Sequence, residues 1–226
     1  MGNSGSTSTT TAPSRAEPAR TRLPAAQRRA ELLRAATDVF ARSNYRGATV
    51  AEIAREAGVS EPLLYKHFGS KRAIFCLLLE RIGRRIVEIW EQETAGIADP
   101  LEALRVAGDV YLANLRAHPA EARLQFQALA EAADPEIAAV LQANHRSYVD
   151  FFARLVRAGQ RGGTIRRDVD AHQAAWLLDG TGFAFTMRDV LDVDEPGDTS
   201  ATTGLLLDWL AETRPTPTKT RKGRKR

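Results

Sequence analysis

A single cysteine, Cys76, occurs in 226 residues, so no intrachain disulfide can form and an oxidising compartment is not required. It sits inside the apolar stretch AIFCLLLERI and reads as a small core residue. No apolar run approaches the roughly 20 residues that a membrane-spanning helix requires. The N-terminal MGNSGSTSTTTAPSRAEPARTRLP lacks an apolar centre, so no secretory leader is expected. The expectation is a cytoplasmic chain with no membrane partner. The four histidines, His67, His118, His145 and His172, stand far apart; none has the spacing of a metal site. No phosphate-binding glycine loop and no nucleophile elbow is present. The acidic pair Glu91 and Glu93 falls on a helix face expected to be exposed. These absences argue against an enzyme and call for no cofactor or metal.

What is present is a polarised distribution of charge. The net charge of +4 conceals +2 over residues 1–26, +4 over 27–72, −9 over 73–213 and +7 over 214–226. Basic ends around an acidic body suggest a polyanionic partner met by the ends. The tail, ending TKTRKGRKR, has two readings: a solubilising appendage, or a polycation adding nonspecific affinity for nucleic acid.

The spacing of apolar residues predicts an all-α protein. Residues 1–24 are Ser-, Thr-, Ala- and Pro-rich and read as a disordered arm. From Gln27, the residues Leu32, Leu33, Ala36, Val39 and Phe40 recur at helical spacing, with Asn44 and Gly47 as the stop. Thr49 and Glu52 fit a capping box opening a short second helix, and Gly58 is placed to end it. Ser60 is placed as a cap and Pro62 in the first turn of a third helix, over about residues 61–68. Ser70 opens a long fourth helix over about 71–94. Beyond Pro100 the pattern stays helical to the end of TSATTGLLLDWLAETR, with Asp134 as a cap and Gly162–Gly163 as a stop.

Three short helices with a tight AGVS turn between the second and third make a helix-turn-helix. Its second helix enters the major groove, and the N-terminal residues of that helix reach base edges. Here those residues are Ser60, Glu61, Pro62 and Leu63. Around them Arg46, Tyr65, Lys66, His67 and Lys71 are candidate donors to phosphates. Tyr65 is expected to pack its ring in part and leave its hydroxyl free. Glu61 has two readings of equal weight: it complements the helix dipole, or it accepts from a cytosine amino group. Leu63 suits a thymine methyl, while Phe68 faces the fold.

The stretch TVAEIAREAGVSEPLLYKHFGSKRAIF, residues 49–75, resembles the DNA-binding signature of TetR-family transcriptional regulators. Thr49, Gly58, Val59, Ser60, Leu64, Tyr65, His67, Phe68 and Lys71 match that signature in register, which adds Thr49 to the DNA-facing set. The specific likeness covers about residues 27–80; beyond it, only helix count, length and the phrase GGTIRRDVD are compatible with the family. The resemblance implies a DNA-binding domain over 25–72 and a larger helical ligand-binding and dimerisation domain over 73–213. It also implies double-stranded operator DNA and a second copy of the chain as partners. The expected action is repression relieved by a small apolar effector. The alternative is a helical ligand-binding or adaptor protein that no longer reads DNA, and only Glu61 hints at that.

Within the acidic body, Phe126, Phe151, Phe152, Trp176, Phe183 and Met187 are the candidate lining of an effector pocket, with His145 to orient the ligand. Ordinary core is the competing reading for each. Gly180 and Gly182 in a helix cost about 1 kcal/mol each against alanine; close helix approach is one reading and flexibility beside a pocket the other.

Overall fold

The computed structural model describes residues 25–193 and 199–211; the arm expected over 1–24 and the basic tail expected over 214–226 lie outside them. Among the described residues every regular element is a helix: α1 Ala25–Gly47, α2 Val50–Ala57, α3 Glu61–Phe68, α4 Lys71–Glu93, α5 Pro100–Ala117, α6 Pro119–Ala130, α7 Pro135–Gly162, α8 Ala171–Val190 and α9 Thr199–Leu210. The helix boundaries follow the local chemistry. Asn44 takes a left-handed φ of 56° and breaks α1, and its Oδ1 accepts from the Gly47 amide at 2.9 Å. The capping box is complete: the Glu52 amide donates to Thr49 Oγ1 at 3.2 Å, and the Thr49 amide donates to Glu52 Oε2 at 2.8 Å. Gly58 ends α2 in the left-handed region at φ 63°, where a Cβ would be strained.

One correction concerns Ser60. It stands at the N-cap position of α3, but its hydroxyl caps no amide. Pro62 in the first turn and the dipole-favoured Glu61 start this helix. Ser70, by contrast, caps α4 by accepting from the Ala73 amide at 3.1 Å.

The helical stripe of α1 is buried as its spacing predicts, with Leu32, Leu33, Ala36, Val39 and Phe40 inside. Phe40 meets Phe75 of α4 edge-on at 5.0 Å, and Tyr45 lies 4.6 Å from the same ring. From there one continuous core runs through α4, α5 and α7 to Leu210 in α9. Helix α1 packs on α6 as well as on α2 and α4, so the three N-terminal helices are seated on the body.

Helix α4 crosses α7 closely at Gly83. A Cβ there would overlap the Asn144 side-chain amide, whose Nδ2 donates to the Leu79 carbonyl of α4 at 2.9 Å. Gly182 of α8 faces the Tyr111 ring of α5 at contact distance, so close helix approach explains it. Gly180 has no neighbour within 4 Å of where a Cβ would stand among the described residues, and packing among them does not explain that glycine.

Candidate nucleic-acid interface and ligand cavity

Helix α3 buries Leu64, packs Phe68 partly against the core and turns its remaining face outward. Ser60, Glu61, Pro62, Tyr65 and Lys66 are exposed, while Leu63 and His67 are half-buried. Tyr65 is 50% exposed and its hydroxyl has no hydrogen bond within the described residues. Glu61 and Lys66 likewise form no ion pair among the described residues, in a region where Arg42 pairs with Glu56 and Arg46 with Glu131. An exposed helix whose polar groups remain unspent suits a partner that supplies both phosphates and base edges.

Two expected phosphate donors are used differently. Lys71 directs its ammonium at the end of α1, donating to the carbonyls of Tyr45 at 2.8 Å, Arg46 at 3.3 Å and Ala48 at 2.9 Å. It also lies 4.8 Å from the Tyr45 ring centre. An ammonium has three donors, and here three carbonyls face it. Lys71 is a clamp between α4 and the α1–α2 turn, its three donors already engaged within the chain. The Thr49 hydroxyl is also spent, accepting from the Glu52 amide and donating to Glu52 Oε2 at 3.0 Å. Its role in this structure is the cap.

Arg46 remains 78% exposed, although its Nε donates to Glu131 Oε1 at 2.8 Å. Glu131 lies at the corner between α6 and α7. The same corner receives Arg72, which pairs with Asp134 at 3.2 Å and Glu136 at 2.6 Å. Burial raises the Asp134 pKa, but the Arg72 bond and the Glu136 and Ile137 amides outweigh it and hold the carboxyl below its ordinary range. Gln127 of α6 completes the link, donating from Nε2 to the Phe40 carbonyl at 3.0 Å.

Behind that corner lies a cavity of about 480 Å³ between α4, α5, α6, α7, α8 and α9. Phe126, His145, Phe152 and Phe183 line it as expected. Phe151, Trp176 and Met187 do not. Phe151 is buried beneath the cavity wall, stacked on Trp90 at 5.1 Å. Trp176 and Met187 point outward from α8, 57% and 44% exposed. Trp176 touches the site only from outside, edge-on to His145 at 5.1 Å.

Trp90, Tyr111, Asp179 and Thr186 line the cavity without having been singled out in the sequence. Trp90 lies in the long α4, and the other three look like unremarkable turns of amphipathic helices. Only the aromatic side chains of Trp90 and Tyr111 themselves offered a local signal. Trp90 Nε1 donates to the Ala107 carbonyl at 3.0 Å, which fixes the indole in the wall. Tyr111 Oη and Thr186 Oγ1 lie 2.6 Å apart, and burial pushes the Tyr111 pKa up to about 12. His145 Nδ1 pairs with Asp179 Oδ2 at 2.7 Å. Burial raises the Asp179 pKa, against the opposing pull of His145.

The fold and the exposed α3 define a helix-turn-helix regulator, and comparison with known proteins identifies its family. Residues 32–76 match the family model described as bacterial regulatory proteins, tetR family. Residues 100–195 match the one described as BetI-type transcriptional repressor, C-terminal. The chain belongs to the TetR family and is a DNA-binding transcriptional regulator. It is 39% identical over 90 residues to the HTH-type transcriptional activator FasR of Mycolicibacterium smegmatis, covering 40% of this chain and 41% of that protein. It is 27% identical over 155 residues to the HTH-type transcriptional regulator UidR of Escherichia coli K12, covering 66% of this chain and 75% of that one. The fold matches FadR of Bacillus subtilis, solved with stearoyl-CoA, at a TM-score of 0.70 and 21% identity over 80% of this chain and 96% of FadR.

Proposed function

We propose that the chain works in the cytoplasm as a homodimer whose two α3 helices read an inverted-repeat operator. An uncharged, largely apolar small molecule in the cavity would lower its DNA affinity, so that the protein acts as a repressor and not as an enzyme. In this reading residues 25–72 meet DNA, while 73–213 hold effector and partner. Ser60, Glu61, Pro62 and Leu63 face the bases; Arg46, Tyr65, Lys66 and His67 face phosphates.

The observation that carries the reading is the α6–α7 corner. Phe126, Leu129, Ala132 and Ala138 line the cavity, while Gln127, Glu131, Asp134 and Glu136 of the same stretch hold α1 and the start of α4. A ligand that displaces the cavity face of this corner therefore acts on the seat of the DNA-reading helices. It shifts the equilibrium only in so far as it binds the two arrangements unequally. The lining favours an uncharged ligand: it holds aromatic and aliphatic side chains, one carboxylate and no lysine or arginine. Apolar surface buried there contributes about 25 cal/mol per Å² before ordering costs. FadR is solved with stearoyl-CoA, but a likeness at that identity speaks for the fold and not for the ligand.

Support for the dimer comes from the outer face of α8 and α9. Trp176, Leu177 and Met187 on α8, Leu191 just past its end and Leu205 on α9 are all more than two-fifths exposed. Gly180 stands on α8 with no described neighbour within 4 Å of where a Cβ would stand, which leaves room for a second backbone to approach. Exposed apolar surface of this extent marks an interaction site.

Selection of bound duplexes from a random DNA pool, followed by a mass measurement of the complex, tests this. The expected result is an inverted repeat, half-sites about one helical turn or a multiple apart, carrying chains in even number. A single unpaired site occupied by one chain would overturn it.

A further inference from the structure

Most polar groups in the cavity wall are already satisfied. The Thr186 hydroxyl donates to the Gly182 carbonyl at 2.9 Å, so the Tyr111 hydroxyl donates to Thr186. Trp90 Nε1 is held by Ala107, and Asn144 Nδ2 by Leu79. Asp179 Oδ2 is held by His145. The Tyr148 hydroxyl lines the cavity, is sealed from solvent and has no hydrogen-bond partner among the described residues; the Gln125 and Gln142 amides also face the cavity. Asp179 presents its other oxygen, Oδ1, with no bond among the described residues. A buried hydroxyl is seldom left unpaired, because leaving it so is costly.

The charge around this pair narrows what can satisfy it. An anionic ligand would meet the Asp179 carboxylate with no lysine or arginine in the lining to offset it. A cation at Asp179 Oδ1 has no lone pair to accept from the Tyr148 hydroxyl and would leave it unpaired. A neutral hydroxyl meets both needs, accepting from Tyr148 and donating to Asp179 Oδ1. Burial, then Tyr111 and Asp179, drive the Tyr148 pKa far above its ordinary range, so the phenol remains a donor. Beside it, the Trp90 and Phe152 rings offer an apolar surface for the body of the ligand.

We infer that the cavity selects an uncharged molecule with a hydroxyl group on an apolar body, and that Tyr148 and Asp179 together recognise that hydroxyl. The inference rests on the reading of the cavity as the effector site. It is tested by titration calorimetry of the full chain with 4-butylphenol, butylbenzene, 4-butylbenzoate and (4-butylphenyl)trimethylammonium. The wild-type chain should bind the phenol about tenfold or more tightly than butylbenzene, because a site built to bond a hydroxyl rejects the analogue lacking it. It should prefer the phenol to either ion. Tyr148→Phe should bind butylbenzene as the wild type does and lose the preference for the phenol. The free variant should melt no lower than the wild type, since it sheds an unpartnered polar atom, and this serves as its folding check.

Equal binding of phenol and butylbenzene by the wild type would overturn the inference and leave the cavity reading intact. So would tightest binding of an ion, or a phenol preference that survives Tyr148→Phe. If none of these probes binds, the reading of the cavity as the effector site fails, and this inference with it.

Discussion

In α2 and α3 each turn is held by a neighbour a few positions away: Thr49 by Glu52, Val59 by the Ala54 carbonyl, Gly69 by the Tyr65 carbonyl. The cavity wall is assembled quite differently, from Leu79 and Trp90 in α4 through Tyr111 and Tyr148 to Leu206 in α9. The first region is a stiff body whose outward groups stay unspent. In the second, Trp90, Tyr111, Asn144 and His145 are each tied to a group on another helix. A reader of DNA gains from arriving with its geometry already set, because little ordering remains to oppose binding. A sensor gains from walls whose positions depend on one another, because filling the space then moves something.

That contrast can be broken first at Lys71, where the two regions meet. Lys71→Met removes three bonds to carbonyls at the end of α1. Hydrogen bonds to charged groups contribute about 1.5–3 kcal/mol each when buried, and partial exposure reduces the total. We expect a loss of about 2–4 kcal/mol in a urea melt, with the N-terminal helices and the body unfolding in one transition. Unchanged stability with weakened DNA binding would return Lys71 to the phosphate backbone.

Next in size is the α4–α7 crossing. Gly83→Ala should destabilise the chain by about 1–3 kcal/mol, as overpacking does, because its Cβ displaces the Asn144 amide. Adding Asn144→Ala should recover part of that loss. Full additivity in a double-mutant cycle would contradict the contact.

The exposed face of α3 should respond in the opposite sense, with function lost and stability kept. Leu63→Ala or Glu61→Gln should change discrimination between DNA sequences by about 1–3 kcal/mol per good base contact. Lys66→Ala should weaken binding to all sequences alike and reduce the log–log salt slope by about 0.9. The smallest effect is expected at Arg46, whose ion pair with Glu131 is highly exposed on the Arg46 side. Arg46→Ala should leave the melting temperature where it is; a clear fall would make the pair part of the scaffold.

The same contrast governs what could be read from the sequence. The capping box, Gly58 and the α1 stripe were legible because each signal lies within a turn or two of the residue it serves. The outward placement of Glu61 and Lys66 was expected from helix-turn-helix geometry, which puts this face of α3 toward DNA. The clamp at Lys71 was not legible because its partners, the carbonyls at 45, 46 and 48, belong to another helix end and leave no trace in side-chain pattern. In the body, aromatic content pointed to α6, α7 and α8 but not to α4, α5 or α9, and not to the facing of each side chain. Trp176 and Phe151 carry the same apolar signal, yet one is 57% exposed and the other 1% exposed. The Asp179–His145 pair joins two helices across 34 positions, and no spacing rule reaches that far.

The link between the two regions is tested most directly by a thermodynamic cycle on the selected operator. Operator affinity is measured with and without saturating 4-butylphenol, for the wild type and for a variant carrying Glu131→Gln, Asp134→Asn and Glu136→Gln. The account predicts that ligand weakens wild-type binding by about 5–150-fold, and that operator weakens ligand binding by the same factor. In the corner variant the ligand should bind as before while that factor collapses toward one. A variant that binds ligand and releases DNA as fully as the wild type would show that the α6–α7 corner does not carry the signal.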